Sequence, residues 1–375
     1  MAGVISGEFF GQQTDASRRK TEIVVKYFKA WAKIMTGIKI DSPRLNYLDL
    51  FSGPGIYDDG SKSTPVYILE ELFKNPILVE RVKLHFNDMR KSNVEALAKT
   101  IAQFPLADLR YPLSLTNYDA ADYGSAVVRE LQGYPTLSFV DPFGYRGITQ
   151  RLLESLITPF GSDCIFFFNY NEIQRAVLNP KVLSHMQALF GISRFDQLRD
   201  LLRQPDIREK EQAIVDVTAS ALEDVGGKYS LFFRFRNVAD SRTMHHLAFL
   251  SKNDKAYSLM KDIMAKASSS QTSGVANLTF SARVESSEER QLELFTDDPI
   301  EELKSILSHR FSGKTIAVGK IPGVHAEIDR LEAHNYTLAN YKRALLQLEA
   351  EGKVTTNRPN RRKNTLADDV VIYFP

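Results

Sequence analysis

Asp49, Asp88, Asp119 and Asp141 each close an apolar run and precede a loop. In an open α/β sheet, ligands bind outside the carboxyl ends of the strands, near the point where strand order reverses. A single Asp at a strand end is most often a helix N-cap. A succession of them sets a row of hydrogen-bond acceptors along one sheet edge. The first lies in residues 47–65, YLDLFSGPGIYDDGSKSTP, where the run 45–51 stops at Ser52-Gly53-Pro54-Gly55 and a helical pattern follows from Thr64. A glycine-rich turn between strand and helix leaves backbone N–H groups bare for a nucleotide-like ligand. An acid, an aromatic and Gly-x-Gly, here Asp49, Phe51, Gly53 and Gly55, is how S-adenosylmethionine (SAM) enzymes hold the methionine end of their cofactor. Asp88, in HFNDMR, would then accept both ribose hydroxyls. Asp119, in TNYDAAD, would meet the adenine amino group, with Tyr118 stacking beside it.

Two other readings fit the same loop less well. A phosphate-binding P-loop needs its lysine directly after the last glycine, but Ser61 separates Gly60 from Lys62, and Asp58 and Asp59 lie where phosphate charge must go. A plain strand-turn that binds nothing is the other, since short glycine motifs recur by chance. Ser52 has no G-x-S-x-G around it, so a hydrolase nucleophile is not indicated.

The fourth strand end, FVDPFGY at residues 139–145, is where a methyl acceptor would sit. Enzymes that methylate exocyclic amines place Asp or Asn, two prolines and an aromatic here. Side-chain and backbone carbonyls accept hydrogen bonds from the amine while the aromatic stacks on the base. Asp141 and Pro142 fit that pattern, a second proline is missing, and the aromatics fall at Phe143 and Tyr145. The bland alternative is a Pro-Gly turn with Asp141 as a helix cap.

The elements that must position these residues alternate. Residues 17–35 predict a helix with Ile23, Tyr27, Trp31 and Ile34 on one stripe and Lys26, Lys29 and Lys33 off it. Strand patterns at 82–88, 113–119, 136–141 and 163–169 are interleaved with helical patterns at 66–73 and 92–104. Residues 229–237 and 244–251 read as a strand pair, followed by a helix at 257–267. This predicts an α/β fold, a mainly parallel open sheet covered by helices, with a charge-rich helical insertion at about 172–228. His245 and His246 are adjacent on a strand and face opposite sides, so they are no close ligand pair. No H-x-x-x-H, H-E-x-x-H or cysteine set suggests a metal.

Composition sets the outer limits. A chain of 375 residues, 43% hydrophobic, can bury a large core in two or three domains. A net charge of +2 is too small to mark a nucleic-acid binder by itself. The charge is uneven, however: residues 285–302 hold eight acids, whereas 342–363 hold seven bases and two acids. The single cysteine, Cys164, excludes an internal disulfide and, within an apolar run, reads as a small buried hydrophobe. No run of about 18 apolar residues and no signal-peptide pattern is present, so a cytoplasmic protein is expected.

The matching blocks FFGQQTDASRRKTEIVVKYFKAWAKIM (9–35), residues 47–70, FVDPFGYRGI (139–148), DCIFFFNYNEI (163–173) and HHLAFLSKN (245–253) run in order over about residues 9–267. On these the sequence resembles the three-Cys-motif partner (TcmP) family of bacterial proteins. The resemblance implies a Rossmann-like class I SAM-dependent methyltransferase sheet behind an N-terminal helical segment (1–40), with the core at 41–267. It also implies a companion, a radical-SAM-like protein with a three-cysteine motif. Gln12, Gln13, Ser17 and Lys20 match the family's N-terminal polar set, and residues 60–65 match its loop into the first core helix. Asn169 and Tyr170 match the end of the fifth strand, where Asn169 would orient a substrate or satisfy buried backbone.

Residues 268–298 read as a linker, rich in serine and then in acid. Beyond it, helical patterns at 299–311 and 338–352 precede short apolar strands at 354–356 and 370–374, a winged-helix-like pattern over 299–375. Arg358, Arg361, Arg362 and Lys363 fall at the tip of that ribbon, where a wing reaches phosphates. A solvated hairpin on a protein-interaction module is the alternative. The whole therefore reads as a SAM-dependent methyltransferase with a nucleic acid or a partner-bound macromolecule as acceptor. The rival is a non-catalytic scaffold for the companion protein.

Overall fold

The computed structural model describes residues 13–38, 44–131, 133–142, 147–177, 179, 183–203, 207–237, 242–282, 298–321, 323–324 and 335–375. Its centre is an eight-stranded sheet. The strands are β1 (Leu45–Asp49), β2 (Val82–Asn87), β3 (Ser114–Thr116), β4 (Thr136–Val140), β5 (Asp163–Asn169), β6 (Tyr229–Arg236), β7 (Thr243–Ser251) and, after two short strands β8 (Gln271–Thr272) and β9 (Val275–Ala276), β10 (Thr279–Phe280). The order across the sheet is β3-β2-β1-β4-β5-β7-β6-β10, and every pairing is parallel except those of β7 with β5 and β6. This is a Rossmann-like, doubly wound sheet in which order reverses between β1 and β4, with β7 as its one reversed strand.

The strands read as near-continuous apolar runs because both faces are covered. β1 and β4 are buried along their whole length. Alternation then sorts side chains between two cores. Leu45 and Tyr47 of β1 and Ile165 of β5 join the core shared with α1 (Asp15–Gly37), α2 (Thr64–Phe73) and α11 (Asp254–Ala267). Leu48 and Leu50, with Phe166 and Phe168 of β5, face the opposite core. There they meet α5 (Ala120–Leu131), α6 (Gln150–Ile157) and four helices between β5 and β6: α7 (Tyr170–Val177), α8 (Leu183–Phe190), α9 (Ile192–Leu201) and α10 (Ile207–Asp224). The remaining core helices are the short α3 (Pro76–Arg81) and α4 (Lys91–Ile101).

α1 runs along one face of the sheet. Ile23, Tyr27 and Trp31 are buried as the spacing predicts, whereas Ile34 is 51% exposed and falls off the stripe, its place taken by Met35. Tyr27 Oη donates to Asp163 Oδ2 at 2.7 Å and Trp31 Nε1 to the Gly161 carbonyl at 2.8 Å, pinning the helix beside the amino end of β5.

Two segments depart from the sequence reading. Residues 268–282, assigned there to a linker, form the β8–β9 ribbon and then β10, which extends the sheet beside β6. Polar composition hid a strand of two residues. The C-terminal region also gains a strand: β11 (Thr315–Ala317) follows the helix Pro299–Phe311 and pairs with β13 (Val371–Tyr373), which pairs on its other side with β12 (Thr355–Thr356). The helix Leu338–Ala350, closed by a capping box at Thr337 and Asn340, packs with that sheet around its own core. No described helix is long and apolar enough to cross a membrane.

Asp163 gives the first prediction. Burial pushes its carboxyl up to about 6, against the hydrogen bonds from Ser251 and Tyr27. An acid whose folded-state value is raised stabilises the fold fully below about pH 4, and that contribution is lost as pH rises through 6. Urea unfolding of Asp163→Asn, which can still accept from Tyr27, should lack this decline. The difference between pH 4 and 7 should be on the order of 2 kcal/mol, and identical pH profiles would refute the assignment.

Candidate functional site

The carboxyl ends of β3, β2, β1 and β4 are neighbours, so the structure brings Asp119, Asp88, Asp49 and Asp141 onto one edge in that spatial order. Asp49 and Asp141 flank the reversal of strand order. Asp49 is almost fully buried, and the Phe51 N–H donates to its Oδ1 at 3.1 Å. Burial pushes the Asp49 carboxyl up to about 8; the Phe51 bond opposes this, Asp141 and Asp88 add to it, and Lys20 offsets it. A buried acid in that state takes a proton or a cationic partner.

Asp88 organises the glycine loop. Its Oδ2 accepts from Gly53 N at 3.0 Å, and its Oδ1 accepts from Arg90 N at 2.8 Å and Asn93 Nδ2 at 3.1 Å. Gly53 and Gly55 have φ of 66° and 88°, the left-handed region where a side chain costs most. At Gly55 a Cβ would also lie 2.8 Å from Leu97 Cδ1, so this glycine is required for the loop to lie on α4. Lys62 turns away from the loop to pair with Glu70 at 2.5 Å, and Asp59 accepts from Gln13 N and Ser61, which is not the layout of a phosphate cradle.

Tyr118 is 56% exposed and stacks on Tyr123, with rings 6.0 Å apart and 7° from parallel. Asp119 sits just ahead of α5, its backbone carbonyl accepting from the Asp122 and Tyr123 amides. Met89, next to Asp88 and also exposed, lies at the same edge; the sequence reading passed over it.

On the other side of the reversal, Asp141 forms an ion pair with Lys20 of α1. The lysine is therefore not a solvated helix residue, the alternative its position allowed. Its Nζ stands 4.4 Å from the centroid of Phe167, against which His245 stacks at 5.0 Å. Burial, with Lys20 close by, lowers His245 to about 4. His246 faces the opposite way, stacked on Phe168 and 3.4 Å from Glu211. Asn169, across the β5–β7 ladder from His245, accepts from the Glu172 amide through Oδ1, a helix cap on α7. Pro142 follows Asp141 and is half-buried, while Phe143, Tyr145 and Gln12 lie outside the described residues. Gln13 grips the glycine loop through Asp59 Oδ2 and the Lys62 carbonyl. Burial pushes the Cys164 thiol up to about 12, which leaves it inert.

At the C-terminal ribbon the four basic residues divide. Arg358 pairs with Asp369 at 2.6 Å. Arg361 turns inward to a bidentate pair with Glu349 and to Thr356, so its position at the tip does not make it a free cation. Arg362 and Lys363 are exposed and form no ion pair among the described residues.

The residue that sequence reasoning missed most clearly is Asn87, one position before Asp88. Fully buried, it donates from Nδ2 to the Leu50 and Tyr118 carbonyls at 3.1 and 3.0 Å. Its Oδ1 accepts from Thr116 Oγ1 and Tyr118 N at 2.9 and 3.1 Å. It ties the ends of β1, β2 and β3 together; its only sequence signal is an amide inside an apolar strand.

No protein-family model and no curated protein matches this sequence. Among solved structures, the chain is similar to a putative methyltransferase from Thermoplasma acidophilum, with 14% identity over 56% of this chain and 70% of that one and a TM-score of 0.28. Trm1 from Pyrococcus horikoshii, in complex with S-adenosyl-L-methionine, has 13% identity over 70% of this chain and 61% of that one, with a TM-score of 0.35. The methyltransferase domain of bacterial CtHen1-CN has 15% identity over 60% of this chain and 99% of that domain, with a TM-score of 0.30. The Rossmann-like sheet itself rests on the strand order and directions given above.

Replacing Asn87 by Ala should strand four backbone and side-chain partners in a dry site. A loss of about 2–4 kcal/mol in urea unfolding is expected, with faster hydrogen exchange at Phe51 and Tyr118. Wild-type stability would show that Asn87 is not the tie.

Proposed function

We propose that this chain is a SAM-dependent methyltransferase that acts on nucleic acid. The observation that carries the reading is the cluster at the reversal of strand order. Asp49 and Asp88 stand over the Gly53–Gly55 turn, and Asp141 stands on the next strand. In this reading Asp49, Phe51, Gly53 and Gly55 hold the methionine end, Asp88 the ribose, and Tyr118 and Asp119 the adenine. Asp141, Pro142 and Asn169, with Phe143 or Tyr145 as an aromatic wall, receive the acceptor. The cofactor would supply a methyl group that passes from its sulfur to the acceptor atom, leaving S-adenosylhomocysteine, and the share of these residues is chiefly to align the two reactants.

The ammonium group at the amino acid end of SAM answers the charge of the site. With burial holding the Asp49 carboxyl near 8, binding an ammonium beside it expels a proton at neutral pH. The affinity for SAM should therefore tighten from pH 6 towards 8, by roughly tenfold for each pH unit at most. Calorimetry in buffers of different ionisation enthalpy reads the released proton directly. Asp49→Asn should abolish both the slope and the proton release. Absence of SAM binding at millimolar concentration overturns the reading.

The C-terminal region supports a nucleic-acid acceptor. We read helix, strand, helix and ribbon with sheet order β11-β13-β12 as a winged-helix-like module, and we assign Arg362 and Lys363 to phosphate contact. Reversing both to Glu should weaken binding of short duplex or single-stranded probes by about tenfold and reduce the salt slope by about two. Unchanged affinity and slope would remove the wing from the interface. Arg361 is left intact in this test because its loss would break the clamp on Glu349.

A second reading, a non-catalytic partner of a radical-SAM-like three-cysteine protein, draws on the family resemblance and on the single proline after Asp141. SAM binding with no methyl transfer to any nucleic acid is the outcome that favours it.

A further inference from the structure

Lys20 and Asp141 lie 121 residues apart, on the N-terminal helix and past the end of β4, and meet as an ion pair. Their side chains are only 12% and 24% exposed. Withdrawing an ammonium this far from water is costly, and a pair of this kind is weak evidence of a purely stabilising role. The helix does not need it as an anchor. Tyr27 and Trp31 already bind α1 to Asp163 and Gly161, and Ile23, Val24 and Phe28 are wholly buried.

The geometry of the pair leaves capacity unused. An ammonium carries three N–H donors and a carboxylate about four acceptor sites. Lys20 spends one donor on Asp141 Oδ2 and lays its charge over Phe167. Among the described residues, Asp141 Oδ1 receives no hydrogen bond. His245, on the far side of Phe167, has a buried Nδ1 with no partner. A donor and an acceptor thus stand side by side on a wall of aromatic carbon, beside the carboxyl that would hold the cofactor.

We propose that Lys20 and Asp141 act as one recognition element, a donor next to an acceptor, that reads a neutral edge carrying an N–H beside a lone pair. The pairing edges of adenine and cytosine have that pattern. This rests on the methyltransferase reading above and names its substrate class through a residue outside the sheet. Asp141 accepts from the exocyclic amine, and Lys20 donates to the adjacent ring nitrogen. The pair is neutral overall, so it selects by hydrogen-bond pattern rather than by charge. α1 thereby becomes a specificity-determining element and not only a cover for the sheet.

The test uses the full chain saturated with S-adenosylhomocysteine, the demethylated form of SAM, which fills the cofactor site. Saturation-transfer NMR then measures the affinities of cytidine and adenosine, with N4,N4-dimethylcytidine and N6,N6-dimethyladenosine as probes lacking the donor. The unmodified nucleosides should bind at least about tenfold more tightly than their dimethyl forms, one hydrogen bond's worth. Lys20→Met and Asp141→Ala, which removes the acceptor outright, should each weaken them by a similar factor, and Lys20→Arg should retain most of the affinity. S-adenosylhomocysteine is kept saturating for each variant according to that variant's own measured affinity, because Lys20 and Asp141 also act on Asp49. Equal nucleoside affinity in wild type and Lys20→Met overturns the proposal. If Lys20→Met fails to fold, Asp141→Ala decides the question by the same criterion. A chain that takes up S-adenosylhomocysteine but no nucleoside overturns this inference alone. One that takes up no S-adenosylhomocysteine overturns the methyltransferase reading and this inference with it.

Discussion

A carboxyl group that water cannot reach governs the middle of this molecule. Asp49 ends β1 where the order of strands reverses, is almost completely buried, and accepts one backbone hydrogen bond from Phe51. Desolvation of a charged carboxylate at such a place costs several kcal/mol. The fold tolerates the group at neutral pH because burial pushes the carboxyl up to about 8, so that it holds its proton. Two further acids, Asp88 and Asp141, sense the same group, and Lys20 partly balances them. The collection is short of positive charge. That deficit, more than any single distance, is the physical reason to seek a cationic ligand here.

The glycine loop, the strand ends and the N-terminal helix are held in register by polar contacts that each bridge distant parts of the chain. Asp88 fastens the loop through Gly53, and Asn87 fastens β1 and β3 to β2. α1 is tied near both edges of the sheet: Tyr27 and Trp31 at the amino edge, Lys20 at the carboxyl edge. Between them lie Ile23 and Val24, packed without exposure. A helix fixed near both ends transmits little slack to the side chain it delivers. Gln13, ahead of its first turn, adds a grip on the loop around Asp59. The site is thus assembled from five separate stretches of sequence, α1 and the ends of β1, β2, β3 and β4, and only one of them contains the glycine motif.

What could be read in advance follows from the range of each interaction. The apolar runs of β4 and β5 and the antiparallel β6–β7 pair were legible because burial on both faces is written residue by residue. Asp49, Asp88, Asp119 and Asp141 were legible as strand ends, since a polar residue that stops an apolar run marks a boundary. Asn87 was not, because an amide one position earlier carries no signal until its partners on β1 and β3 are known. β10 and β11 escaped because two or three residues give no periodicity, and their pairing partners lie 45 and 54 residues away in sequence at closest register. Ile34 was assigned inward on helical spacing alone, but the buried stripe runs through Trp31, Ala32 and Met35 instead.

Charged residues show the same limit most sharply, because a formal charge in a sequence does not say where the charge is spent. Lys62 beside a glycine suggests a phosphate and in the fold answers Glu70. Lys20 belongs to a helix rich in exposed lysines and in the fold crosses to Asp141. In the C-terminal ribbon, three arginines within five residues take three courses: one pairs across the hairpin with Asp369, one clamps Glu349, and one stays in solvent. Arg361 owes its course to geometry, since its planar guanidinium can engage both oxygens of a carboxylate and still reach Thr356 and two carbonyls. A basic cluster is therefore an upper bound on the cations a surface can offer, and the bound falls with every acid the fold brings within reach. By that reasoning the electrostatic footprint of the ribbon is about half what its sequence suggests.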